Sequence, residues 1–140
     1  MPCYKVATCI PKRFLDPLMD EVTTSISPLY GGYDRCFSYW PVTGTWRPLE
    51  GSHPFLGKVG MIETAEEYKV EFAVREEDLR AAVAAIRRIH PYEEPAIDVV
   101  PMVPWTDVAA SDDMNRCCRR SSACGESEGS ASCRRAPPGP

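Results

Sequence analysis

The residues with most chemical potential form one short run, His90-Pro91-Tyr92-Glu93-Glu94-Pro95. A neutral imidazole with two adjacent carboxylates offers the N and O donors that a borderline divalent ion such as zinc accepts. His90, Glu93 and Glu94 are therefore a candidate metal set, completed where three copies of the chain meet near an axis or in the clefts between them. A divalent metal ion is the one cofactor suggested, and no cofactor is required by any motif. The same run has a structural reading. His90 caps the last carbonyls of a helix, Pro91 stops that helix, Tyr92 packs, and the glutamates pair with arginines. Pro91 also breaks helical spacing, so His90 and Glu94 need not face the same way. With only two histidines in the chain, the structural reading carries more weight.

A second group lies between Gly44 and Gly60. Thr45, Arg47, Glu50 and His53 are its polar members. A guanidinium among glycines can receive a small anion or the phosphate of a nucleotide through paired N–H donors. No Gly-x-x-x-x-Gly-Lys-Ser/Thr phosphate loop accompanies it. The plainer reading is that this loop pads a contact between subunits, with Arg47 on a neighbour's carboxylate. Cys36 is the one candidate nucleophile, but strand cysteines are usually buried and inert. No serine–histidine–acid arrangement is recognisable, so no catalytic residue is assigned and the chain reads as non-enzymatic.

These groups are positioned by a short series of elements. Tyr4 to Ile10 alternates as a strand and stops at Pro11. Asp16 can cap a helix whose first turn holds Pro17 and whose stripe is Leu18, Val22 and Ile26; Pro28 ends it and Gly31-Gly32 turns the chain. Tyr33 to Val42 reads as an aromatic-rich strand, with Pro41 either marking where it leaves the sheet or placing it on an edge. Thr43 to about Glu66 reads as a loop longer than the ~12–15 residues common inside a compact domain, hence one used for binding or assembly. In Tyr68 to Val74, Tyr68, Val70, Phe72 and Val74 share a face. A helix from Glu76 to Ile89 buries Leu79, Ala82, Val83, Ile86 and Ile89, with acids at its start and arginines at its end. Ala96 to Met102 is the last strand. The order β-α-β-β-α-β predicts a ferredoxin-like α+β fold, a four-stranded antiparallel sheet with two helices on one face. Tyr33, Phe37, Tyr39 and Trp40 supply more aromatic surface than two helices need, which predicts oligomerisation through the sheet or its edges.

Composition sets the limits. The 140 residues carry a net charge of −4, without the basic stripe of a nucleic-acid binder. No stretch approaches the ~20 apolar residues that cross a bilayer. The N-terminus lacks the apolar run of a secretory signal, so a cytoplasmic location is expected. Of the seven cysteines, Cys3, Cys9 and Cys36 fall in the globular part and Cys117, Cys118, Cys124 and Cys133 beyond it. None forms a Cys-x-x-Cys pair, and an odd count without a secretion signal argues against a disulfide framework. Ser111 to Pro140 contains no Leu, Ile, Val, Phe, Trp or Tyr. Such a segment cannot offset the ~1–2 kcal/mol per residue of ordering entropy. We expect a domain over residues 1–105, then a linker and a disordered tail over 106–140. Its mixture of Arg, Ser, Cys, Gly, Ala and Pro is also what an out-of-frame reading of GC-rich coding sequence gives; an intact frame in independent isolates would reject that origin.

Four motifs in order resemble a known family. Tyr33-Asp34-Arg35-Cys36-Phe37-Ser38, Gly44-Thr45-Trp46-Arg47-Pro48, the glycine-rich run Glu50-Gly51-Ser52-His53-Pro54-Phe55-Leu56-Gly57 with Val59-Gly60, and the His90 run together resemble the inserted domain of Nif-three-like proteins. That insert is a PII-like domain akin to CutA, the cation-tolerance protein. The match covers nearly all of residues 4–102. The resemblance implies a ferredoxin-like fold that forms a homotrimer, with nucleotides or small anions bound between subunits in PII-like relatives and divalent metal in CutA-type ones. In the larger family members this domain interrupts another that holds a pair of metal ions. No counterpart of that surrounding domain is recognisable here, so the dinuclear site and its hydrolase activity are not expected to carry over. The connection from Ser27 to Gly32 is shorter than the family's.

Overall fold

The computed structural model describes residues 1–109; the expected disordered tail lies outside the described residues. Two units divide the chain, Met1–Pro104 and Trp105–Pro140. The first holds β1 (Cys3–Ile10), a 3-10 turn (Lys12–Phe14), α1 (Leu15–Ser25), β2 (Ser38–Trp46), β3 (Glu63–Arg75), α2 (Glu76–Ile89) and β4 (Ile97–Met102). The described part of the second is one short helix, α3 (Trp105–Ala109).

The strands form one sheet in the order β2-β3-β1-β4, all neighbours antiparallel. This is the ferredoxin-like arrangement. β1 pairs in register with β3, Val6 opposite Phe72 and Thr8 opposite Val70. That register gathers the alternating apolar residues of both strands on one face. Val6, Ile10, Val70, Phe72 and Val74 pack there with Leu18, Met19 and Val22 of α1 and Ala82, Ala85 and Ile86 of α2. Each fully buried aliphatic side chain contributes roughly 1.5–3 kcal/mol from apolar transfer. The helices are also tied to each other, Arg88 Nη2 lying 2.7 Å from Glu21 Oε1.

Three expectations are corrected. Asp16 is not the helix cap: Phe14 occupies that place without a side-chain bond. The Asp16 and Asp20 carboxylates instead accept from the Arg35 guanidinium at 3.4 and 2.9 Å, which draws the α1–β2 connection against the helix. The second strand begins at Ser38, not Tyr33, and runs on to Trp46. Phe37, just before it, turns inward onto Phe72 with ring centroids 5.2 Å apart. The irregular segment shrinks accordingly. β3 starts at Glu63, and residues 43–46 and 63–66 form a two-stranded ribbon, Gly44 opposite Ala65 and Trp46 opposite Glu63. The connection between the ribbon arms is residues 47–62. Of the two readings of Pro41, the edge position agrees with the strand order, since β2 is an outer strand among those described, while the strand does not leave the sheet there but pairs on to Trp46.

Candidate functional site

Strand alternation puts Gly44 and Trp46 of β2, Glu67 of β3 and Cys9 of β1 on the face opposite the helices. There the ribbon projects beyond the end of β1. The 47–62 connection folds back over it, with the Trp46 indole N–H donating to Leu56 O at 3.3 Å and Gly60 N–H to Pro48 O at 2.8 Å. Gly57 has φ +104°, and a Cβ there would fall 2.3 Å from Glu63 Cγ, so glycine is required at this crossing. From the other side comes the α2–β4 connection carrying Tyr92, Glu93 and Glu94. A cleft of about 550 Å3 lies between the two segments.

Glu67 is the centre of the cleft floor. It is 5% exposed, a rare position for a carboxylate. The Tyr92 hydroxyl donates to its Oε1 at 2.5 Å. On the other side the carboxylate leans over Gly44, where a Cβ would stand 2.3 Å from Glu67 Oε2. Burial, the hydrogen bond to Glu67 and the charge on that carboxylate push the Tyr92 phenol upward. Tyr92 is therefore a neutral donor at any physiological pH. Burial, reinforced by the Glu67 charge, likewise pushes the Cys9 thiol up, so it is held away from the thiolate form a nucleophile needs. The walls are aromatic: Tyr92 lies 5.6 Å from Trp46 and 6.0 Å from Phe55.

The residues proposed as ligands distribute unevenly around this cleft. His90 is behind it, with both ring nitrogens committed. Nδ1 accepts the Tyr92 N–H at 3.2 Å, and Nε2 lies 2.7 Å from Cys9 O. The second contact requires the Nε2–H tautomer, leaving no lone pair for a metal. Burial lowers the His90 pKa, outweighing the hydrogen bond to Cys9 and the Glu67 charge. The ring thus fastens the helix end to β1 rather than capping its own helix; the helix is continued by the backbone bond from His90 N–H to Ile86 O at 2.8 Å. Among the described residues Glu93 pairs with a histidine rather than an arginine. Its carboxylate accepts the His53 N–H at 2.9 Å and lies 3.6 Å from His53 Nδ1. Among the described residues no group of three His, Cys, Asp or Glu side chains is arranged to hold an ion, so the chain by itself does not assemble His90, Glu93 and Glu94.

Thr45, Arg47, Glu50 and His53 also fail to converge. Thr45 lies in β2 and its hydroxyl donates to Glu63 O at 2.8 Å. Arg47 lines the cleft. Glu50 sits at the exposed tip of a turn closed by Ser52 N–H on Leu49 O, and His53 is on the outer wall. Cys36 is exposed, its thiol 3.4 Å from Asp34 O. Sequence reading missed Glu67, Trp46 and Cys9 as a group. Their juxtaposition depends on strand register, and the only local signal was a glycine two residues before a tryptophan.

This architecture is the ferredoxin-like fold, and comparison with known proteins agrees, CutA-type structures sharing it. CutA1 from Oryza sativa superposes with a TM-score of 0.55 at 17% identity, covering 74% of this chain and 83% of that one. A Bacillus cereus protein related to NIF3 superposes with a TM-score of 0.64 at 27% identity, over 74% of this chain and 26% of that one. In sequence, a protein of Halalkalibacterium halodurans named GTP cyclohydrolase 1 type 2 homolog is 37% identical over 99 residues, 71% of this chain and 27% of that protein. The chain is a domain similar to one segment of the NIF3-related proteins, and it spans about a quarter of the length of the curated relatives it matches. No protein-family model matches it. Among the described residues no helix is long and apolar enough to cross a membrane.

Proposed function

We propose that the domain is a non-enzymatic assembly module that associates with copies of itself, the number three following from its likeness to PII/CutA-like proteins. One observation carries the reading. The 47–62 connection exposes Leu49, Phe55, Leu56, Val59, Met61 and Ile62 together. The outer strand β2 separately exposes Tyr39 and Trp40, which alternate onto opposite faces of the sheet. Exposed apolar side chains gathered on one connection, beside a strand that is outermost among the described strands, mark an interaction surface. Salt-bridged positions elsewhere on the sheet, Lys5–Glu71 and Lys69–Asp98, show how a solvated face of this sheet is finished. Burial raises the Cys9 thiol away from the thiolate form, which favours the non-enzymatic part.

Native mass spectrometry and sedimentation velocity test the proposal. A homotrimer is expected, and Ile62→Asp with Met61→Asp should convert it to a monomer with an unchanged far-UV circular dichroism spectrum. A monomer in the parent chain at micromolar concentration rejects the reading.

A further inference from the structure

We propose that the cleft over Glu67 is a binding site for a small planar organic cation, an amidinium or aryl-ammonium group, received between the Trp46, Phe55 and Tyr92 rings with its N–H donors on the Glu67 carboxylate. Three observations converge. First, the lining is anionic. Among the described residues, Glu67, Glu93 and Glu94 line the cleft against one guanidinium, that of Arg47, and Glu93 is partly answered by His53. Second, the ring cluster already attracts a cation from outside. The Arg13 guanidinium lies 4.8 Å from the Phe14 ring centroid and 5.2 Å from that of Phe55, and these two rings meet edge to face at 6.1 Å. Third, the carboxylate is housed deliberately. Gly44 supplies the space that Glu67 Oε2 occupies, and Tyr92 donates to Oε1 alone. A buried carboxylate beneath aromatic faces favours a cation over a neutral or anionic ligand of the same shape, because both the rings' quadrupoles and the full charge act in a poorly solvated place. The cleft volume of about 550 Å3 lies within the range of small-molecule sites. The site shares Leu49, Phe55 and Leu56 with the apolar surface of the assembly reading, so binding and oligomeric state are read separately.

Benzamidine is the probe, with benzamide and benzoate as its neutral and anionic counterparts. The readout is the Trp46 indole N–H cross-peak of the full 15N-labelled chain. Benzamidine should move that peak with a Kd on the order of 1 mM, appropriate to a ligand of this size. Benzamide should bind about tenfold more weakly, and benzoate more weakly still. Glu67→Gln should lose about tenfold in benzamidine affinity. Should that variant not fold, Tyr92→Phe keeps the ring, frees Glu67 from its donor, and should bind benzamidine at least as tightly as the parent. No shift of the Trp46 peak at roughly 10 mM, well above that Kd, overturns the proposal. So does equal binding of benzamide, or a tenfold loss in Tyr92→Phe. Sedimentation of the same samples separates the two readings: an oligomer that ignores benzamidine removes the cleft site alone, and a monomer that binds it removes the assembly alone.

Discussion

Along β3, two stretches of one strand are built by different rules. From Val70 to Val74 the helix-facing side chains are sealed, Val70 at 0% and Val74 at 1% exposure, and the opposite side is finished with ion pairs. From Glu63 to Glu67 the strand leaves the sheet's body as one arm of a ribbon. There it buries a carboxylate and sits under a connection that puts Phe55 and Leu56 in the cleft wall and exposes Val59, Met61 and Ile62. The first stretch solves folding with apolar burial alone. The second spends burial on a polar group and leaves apolar surface unused, the pattern of a segment shaped for contact with something else.

The contrast predicts a graded response to substitution. Leu18→Ala in the sealed core should destabilise by about 3 kcal/mol. Leu49→Ala in the connection should cost under about 0.5 kcal/mol to the isolated monomer. Urea unfolding of both variants at a concentration where the chain is monomeric checks this, and equal losses would erase the distinction. Next comes Tyr92→Phe, which strips the buried Glu67 of its donor and should cost about 2 kcal/mol in the same assay. A negligible loss would mean that Glu67 is not held by Tyr92.

The third test uses pH. Burial lowers the His90 pKa in the folded chain, so below about 6.5 the unfolded chain binds a proton that the folded chain refuses. Stability should therefore decline as pH falls from about 6.5 toward the folded-state pKa. Tyr92 has the opposite placement. Its raised pKa means that the unfolded chain releases a proton above about 10 while the folded chain retains it, so stability should also decline on that side. Urea midpoints across the range should give a plateau bounded by both declines. His90→Asn should flatten the acid limb and Tyr92→Phe the alkaline one; unchanged limbs would assign them to other groups. The smallest expected effect is that of metal. Zinc at micromolar concentration should leave the melting temperature unchanged, because both His90 nitrogens are engaged. A stabilisation abolished by His90→Ala would restore the ligand set His90, Glu93 and Glu94.

Periodicity made much of this molecule readable. Alternation in Tyr4–Ile10 and Tyr68–Val74, and the four-residue recurrence of Leu18 and Val22, reflect burial on one side of a regular element, which is a local property. The span of α2 is the clearest case: acids at Glu76, Glu77 and Asp78, arginines at its end and Pro91 beyond delimit it without reference to the rest of the chain. The ribbon was not readable in this way. Residues 43–46 and 63–66 lack apolar alternation, and they are strands because each arm satisfies the other's backbone groups across a connection of sixteen positions (47–62). His90 shows the same division. Its place at a helix end followed from Pro91, but the partner of its ring, Cys9 O, is eighty-one positions away in the sequence.

The sequence by itself determined the order of elements, the helix-facing core and the likeness to the Nif-three-like insert, because each depends on residue types at short, fixed spacings. Tertiary structure alone decided that Glu67, Trp46 and Tyr92 line one cleft and that both ring nitrogens of His90 are engaged within the chain. Those outcomes depend on the register between strands and on which long-range acceptor lies nearest a side chain, and no local spacing encodes either.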